Sequence, residues 1–186
     1  MRMGGKRIDW TLDEVAYLLD SAGRVPLREI CRHLRRSSES VRHMVRRLRE
    51  QGHAISLRHF EPRTTICPAC GRSSATSREV GICRPCQLRR QLSAIETQTA
   101  DLMGRLPAEE RATYEQTEAE TGARTREPRP RAPRLDATAT YYQRMRAEEA
   151  HDIALEQWEI RRMEREVKAA QKRKERIAHK LRKLEN

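Results

Sequence analysis

The stretch LREICRHLRRSSESVRHMVRRL, running from Leu27 to Leu48, decides how the chain is read. Leu27, Ile30, Cys31 and Leu34 recur at i, i+3, i+4 and i+7, the spacing that gathers side chains on one face of a helix. Val41, Met44, Val45 and Leu48 recur in the same way. Arg35 and Arg36 leave a short turn between the two sets. Ser37 is placed to cap the second helix, its hydroxyl accepting a backbone N–H that has no intrahelical partner. Pro26 suits the first turn of the first helix, and Gly52 stops the second. A short helix, a tight turn and a helix with a polar, basic outer face form a helix-turn-helix pattern. That outer face carries Ser38, Glu39, Arg42, His43, Arg46, Arg47 and Arg49. Its N-terminal end would enter the major groove, so Ser38, Glu39, Arg42 and His43 are candidates for base edges. Arg46, Arg47 and Arg49 are candidates for phosphate, and Arg35 and Arg36 for clamping the backbone beside the helix N-terminus. Residues 25–60 hold nine Arg against three acids, a balance that favours a polyanionic partner.

Outward from this stretch, Thr11-Leu-Asp-Glu14 has the form of a capping box, and Leu12, Val15, Ala16 and Leu19 predict a helix that ends by Gly23. Three helices each bury one stripe and need the other two. Trp10-Thr11-x-x-Glu14, Leu27-x-x-Ile30-Cys31-x-x-Leu34 and Arg36-Ser37-x-x-Ser40-Val41 together resemble Myb/SANT-like and related helix-turn-helix domains over residues 7–52. The resemblance implies a three-helix fold and DNA contact through the third helix. It also points to the single-domain versions found in phage and mobile-element regulators. Arg35 stands where such turns often have glycine, and Cys31 where they have alanine. Cys31 lies on the apolar stripe and reads as a small hydrophobe of the core.

Cys67-Pro-Ala-Cys70 and Cys83-Arg-Pro-Cys86 make a C-x2-C-x12-C-x2-C pattern. Four thiolates in two close pairs suit one tetrahedral zinc ion with a closed, structural shell. Gly71 can take the left-handed turn of the first knuckle, and Thr64–Ile66 and Glu79–Ile82 are expected as the strands of a hairpin. The second pair runs on into a helix with Leu88, Leu92, Ile95, Leu102 and Leu106 on one side. A knuckle, a hairpin and a knuckle that opens a helix resemble treble-clef zinc fingers over residues 62–105 more than a symmetrical zinc ribbon. Treble clefs also host nucleases, but His53, His59 and Glu61 before the first pair do not compose such a site. A thioredoxin-like use of the cysteines lacks its βαβ context.

Residues 141–184 contain no Gly or Pro and are rich in helix formers. Ile160, Met163, Val167, Ala170, Ile177, Leu181 and Leu184 follow a 3-4 spacing that Lys174 interrupts, and Glu156 falls at a core position upstream. This helix serves as a dimer zipper over residues 153–184, as a hairpin partner for helix 87–106 in the same chain, or as a free basic helix. In a parallel dimer Glu159 would face Glu164, like against like. Residues 167–184 hold eight basic groups and one acid and add phosphate affinity in each arrangement. Between the zinc module and this helix, Pro128, Pro130 and Pro133 interleaved with Arg mark residues 122–140 as extended and poorly ordered.

The totals agree. The chain has 186 residues, a net charge of +12, 35% charged and only 4% aromatic residues, too little apolar material for one large enzyme core. The first 92 residues carry +10 of that charge. No apolar run approaches the ~20 residues of a membrane span, and no secretory signal is seen. The odd cysteine count places the chain in a reducing compartment. The expected architecture is mainly α: a helix-turn-helix domain (1–60), a small four-Cys zinc finger with a short β-hairpin and following helix (61–106), an acidic then Pro/Arg-rich linker (107–140) and a long basic helix for assembly (141–186), as coiled coil or helical hairpin. The expected function is a cytoplasmic, nucleoid-associated, sequence-specific regulator of bacterial or phage type that binds double-stranded DNA and catalyses nothing. The rivals are an interaction protein that binds RNA polymerase or another host factor through the zinc module and long helix, with secondary DNA or RNA affinity, and an RNA-binding protein. The scarcity of aromatic stacking platforms argues against the second.

Overall fold

In a computed structural model that describes residues 9–120 and 127–185, the elements follow the capping and spacing signals of the chain. They are α1 (Leu12–Ser21), α2 (Leu27–Leu34), α3 (Ser38–Glu50), β1 (Thr65–Ile66), β2 (Ser73–Ser74), α4 (Ser77–Val80), α5 (Arg84–Gly104), α6 (Ala108–Glu120) and α7 (Tyr141–Glu185). The chain divides into two units. The first is Met1–Pro62 with Ala132–Ala150, and the second is Arg63–Arg131 with His151–Asn186. The helix α7 contributes its first ten residues to one unit and the remainder to the other. Among the described residues, no helix is long and apolar enough to cross a membrane.

In the first unit the capping box at Thr11 is complete. The Thr11 hydroxyl accepts from the Glu14 amide at 3.2 Å, and the Glu14 carboxylate accepts from the Thr11 amide at 2.9 Å. Leu18, Ile30, Leu34, Val41, Met44, Val45, Leu48 and Ile55 form the core, with Trp10, Val15, Leu27 and Cys31 packed around it. The inward faces of α2 and α3 are those their spacing predicts. The face of α1 is not: Leu12 is 88% exposed and Leu18 is fully buried. The box fixes the helix start, and its first residue points to solvent. The buried stripe therefore runs through Val15, Leu18 and Ala22 instead of Leu12, Ala16 and Leu19. Gly23 has φ +85°, and a Cβ there would meet the Tyr141 ring at 3.2 Å. Its carbonyl accepts from the Phe60 amide at 2.9 Å, so the turn after α1 packs against the loop after α3 and the start of α7.

The second unit combines the cysteine module with α5, α6 and the rest of α7. Leu88 and Ile95 of α5 pack on Met163 and Val167, and farther along Met103 and Leu106 pack on Ile177 and Leu181. The apolar stripe of α7 is thus covered within the chain by α5, the helix with which it was expected to pair if it did not form a zipper. The two helices run in the same direction rather than as a hairpin, since Arg89 meets Glu159, Gln98 meets Lys174 and Arg105 meets Glu185. Between them in sequence, α6 adds Tyr114 to the distal cluster and an ion pair from Glu110 to Lys180 at 2.9 Å. Residues 127–135 have no regular secondary structure. Glu127 nonetheless grips Arg161 at 2.8 Å and Arg165 at 3.1 Å, and its carbonyl accepts from the Trp158 indole. Part of the stretch 122–140, residues 122–126, lies outside the described residues.

The hairpin also differs from expectation at its second strand. Thr65 pairs with Ser74 and Ile66 with Ser73, while residues 77–80 are helical. The reason is local. Gly71, at φ +69°, reverses the chain at once, so residues 73 and 74 come back beside β1. The Ser74 hydroxyl then accepts from the amides of Thr76 and Ser77 and starts the turn of α4.

Candidate metal centre and nucleic-acid interface

The turn between α2 and α3 is built without glycine. Arg35 sits in the left-handed region at φ 50° and ψ 37°. Its amide donates to the Arg32 carbonyl, and that of Arg36 donates to Cys31 at 3.1 Å. These are the two bonds of a Schellman motif, which satisfy helix-end carbonyls. Two residues later the Ser37 hydroxyl accepts from the Ser40 amide at 3.2 Å and opens α3.

With Val41, Met44, Val45 and Leu48 turned inward, the outer face of α3 presents Ser38, Glu39, Arg42, His43, Arg46, Arg47 and Arg49 to solvent. Among the described residues, Arg35, Arg42, Arg46 and Arg47 have no ion pair or side-chain hydrogen bond. His43 lies 3.9 Å from the Glu39 carboxylate, and Arg49 donates to the Ile55 carbonyl at 2.9 Å.

Arg36 is placed differently from its expected role as a backbone clamp. Its guanidinium donates twice to Glu14, at 2.9 and 2.8 Å, and once to the Asp9 carbonyl. It stacks over the Trp10 ring at 4.5 Å, and its side chain is only 11% exposed. The residue holds the start of α1 against the turn. The Arg36 hydrogen bonds, aided by the Thr11 amide, hold the Glu14 carboxyl down at about 2. Trp10 and Glu14 thereby acquire a positioning role that the spacing of apolar residues does not reveal.

The four cysteines come together as their spacing predicts. Their sulfur atoms all lie within 4.8 Å of one another, with Cys67, Cys83 and Cys86 buried and Cys70 half-buried. In the first knuckle the Cys67 amide donates to the Arg72 carbonyl and the Gly71 amide to the Cys67 carbonyl, each at 2.8 Å. In the second, Cys83 is the N-cap of α5 and Cys86 lies in its first turn, so the positive end of the helix faces the sulfur atoms. The Cys83 amide donates to the Cys67 sulfur at 3.2 Å. That bond, with further amides from Ala69 and Cys70, draws the Cys67 thiol down to about 6. Burial pushes Cys83 and Cys86 up. Four thiols this close cannot all ionise without a cation, and a divalent ion bound among them removes that conflict. The Cys70 and Cys83 sulfur atoms stand 3.7 Å apart, close to the roughly 3.8 Å edge of a tetrahedron with metal–sulfur bonds of about 2.3 Å. The donor set therefore fits a single metal ion.

This module is tied to α7 through Glu156, the residue that interrupts the apolar spacing. Glu156 is buried. It accepts from the Ser74 and Thr76 hydroxyls and from the Ala75 amide at 2.8 Å. Three residues on, Glu159 pairs with Arg72 at 2.8 Å and Arg89 at 3.2 Å. A carboxylate at a core position was itself the signal that a polar partner awaited it.

The first unit thus presents a helix-turn-helix, and the second brings together four thiols that could hold a metal ion. Residues 11–80, less than half of the chain, match the family described as FeoC like transcriptional regulator. The match spans α1 to α4 and takes in the first cysteine pair but not the second. No curated protein and no solved structure matches the chain.

Proposed function

We propose that the chain is a sequence-specific, DNA-binding transcriptional regulator whose cysteine module holds one structural zinc ion. The observation that carries this reading is the set of solvent-facing guanidinium groups of Arg35, Arg42, Arg46 and Arg47 on a helix-turn-helix that lies within the match to a regulator family. The N-terminal half of α3, with Ser38, Glu39, Arg42 and His43, meets base edges. Arg46, Arg47, Arg49 and Arg35 meet phosphate. Arg36 is left out of the contact set because Glu14 and Trp10 hold it. A DNA target places the protein in the cytoplasm with the nucleoid. Zinc is preferred because four thiolates close a tetrahedral shell around one ion. An iron–sulfur cluster, which also takes four cysteines, spreads its ligands over the corners of a larger body.

The apolar stripe of α7 packs on α5 of the same chain, so this reading takes one helix-turn-helix per molecule and a site without two-fold symmetry. The test is selection of zinc-loaded protein against a random duplex library at about 150 mM salt, near physiological ionic strength. An enriched, non-palindromic motif is expected. It should be lost in Arg42→Ala/Arg46→Ala while the melting temperature holds, because Arg42 gives up a base contact worth about 1–3 kcal/mol and Arg46 a phosphate contact that sets the register. Binding without enrichment, or no binding, would refute sequence-specific recognition, and the latter would favour a protein partner such as RNA polymerase.

A further inference from the structure

The face of α7 opposite its buried stripe has a pattern of its own. Arg161, Arg165, Lys168, Lys172, Arg176, His179 and Lys183 follow one another at intervals of three or four residues. They therefore lie in one row along the helix. The first two are held by Glu127. The last five are all exposed, and among the described residues none has an ion pair or side-chain hydrogen bond. They span about 22 Å of helix at 1.5 Å per residue. On α7 itself Glu175 is the one acid at the edge of this part of the row, and it accepts from Gln171 at 3.0 Å; Arg176, His179 and Lys183 also border a groove shared with Glu110 of α6, which pairs with Lys180.

We propose that this row, from Lys168 to Lys183, is a second nucleic-acid surface that binds the phosphate backbone of duplex DNA without regard to sequence. It is distinct from α3 and does not depend on whether α3 reads bases. The chemistry of the row selects the partner. It contains no apolar residue and no Phe, Tyr or Trp, whereas a protein interface is anchored by such residues at its centre. A helix that lies on a membrane exposes an apolar face, and the apolar face of α7 is buried against α5. Single strands are held by stacking on successive aromatic rings, and the row offers only the His179 imidazole among four aliphatic-stemmed cations. A duplex backbone requires only repeated cations, and its affinity comes from the counterions they release.

The experiment measures binding of full-length, zinc-loaded protein to a mixed-sequence duplex of about 20 base pairs between about 50 and 200 mM salt. The variants are K168Q/K172Q/R176Q/H179Q/K183Q and the smaller K168Q/K172Q, since Gln keeps the helix. Four permanent cations predict that the slope of log affinity against log salt loses about 3.6 in magnitude in the first variant and about 1.8 in the second. The same loss should occur in an Arg42→Ala/Arg46→Ala background. Failure of the motif selection above with these losses intact would therefore leave the second surface standing. Unchanged slopes in both variants, at unchanged helicity by circular dichroism, would overturn it. So would capture of the wild type, but not the five-site variant, on anionic phospholipid vesicles with the DNA slopes unchanged, which would make a membrane surface the partner.

Discussion

Replacing Glu156 by Leu separates two accounts of the long helix. If residue 156 were only a poor fit in an apolar stripe, leucine would stabilise the protein by about 1.5–3 kcal/mol, the value of burying such a side chain. The structure requires the opposite. The carboxylate of Glu156 accepts three hydrogen bonds, two from the hydroxyls of Ser74 and Thr76 and one from the amide of Ala75. Hydrogen bonds to a charged group contribute about 1.5–3 kcal/mol each. Part of that gross gain is offset by several kcal/mol for removing the carboxylate from water. Leucine would leave the buried Ser74 hydroxyl without its acceptor, at about 1–3 kcal/mol, and would also remove the acceptor of the half-buried Thr76 hydroxyl and of the Ala75 amide. The net expectation is a loss of about 3 kcal/mol in the second unit. Gln, which keeps one acceptor oxygen, should cost about half as much. Urea unfolding followed by far-UV circular dichroism reads the global change. Transfer of metal to a chromogenic chelator reads the knuckle directly, and it should be faster in Glu156→Leu. A Leu variant at least as stable as the wild type, with unchanged metal release, would refute the assignment of Glu156 as the anchor of residues 74–76.

Three further outcomes follow from features of the two units. Arg35→Gly should leave stability unchanged or raise it by up to about 1 kcal/mol, whereas Arg35→Val should lower it by about 1–2 kcal/mol, because a β-branched residue is strained at positive φ; thermal melts compare the two. The Glu14 carboxyl is held at about 2 in the folded chain, below its ordinary 4.5, by the Arg36 hydrogen bonds. A depressed acid stabilises the folded state above its unfolded value. That stability is fully present above about pH 4.5 and falls away as the pH drops toward 2, and Glu14→Gln should flatten the dependence in this window when melting is followed against pH. Chelation should abolish amide protection over residues 64–86 while sparing α1 to α3, because binding the ion and folding the knuckles are one process. Hydrogen exchange with verified metal removal measures this, and full protection of both segments would contradict it.

What the sequence made legible was decided within a few residues of each signal. The Thr11 and Ser37 caps, the stripes of α2 and α3, the four cysteines and the long α7 all rest on spacings inside one turn or one knuckle, and each stands where expected. What escaped depends on partners far away in sequence. Arg36 reads as a free cation until Glu14, twenty-two positions earlier, is seen against it. Glu156 reads as a flaw until Ser74 reaches it across eighty-two positions. The phase of α1 was missed because the cap that sets it turns Leu12 outward. The second strand was displaced because Gly71 turns the chain sooner than the gap between the cysteine pairs requires. The direction of α5 against α7 follows from which apolar groups meet, Leu88 and Ile95 with Met163 and Val167, then Met103 and Leu106 with Ile177 and Leu181, a choice that no local periodicity encodes.

The division of α7 between the two units has a consequence for synthesis. A chain leaving the ribosome emerges from its N-terminus at about 5–20 residues per second and folds as segments become available. The three-helix core, drawn from residues 18–55, can close early. Tyr141, whose ring lies against Gly23, arrives only with the start of α7. Glu156 follows Ser74 by eighty-two residues, roughly 4–16 seconds at that rate, so the knuckle is made well before its anchor. The leucine face of α5 waits longer, until Met163 and Val167 appear. One continuous helix therefore completes both units, and a premature stop near residue 150 would release a chain with a formed helix-turn-helix and a cysteine module bare on one side.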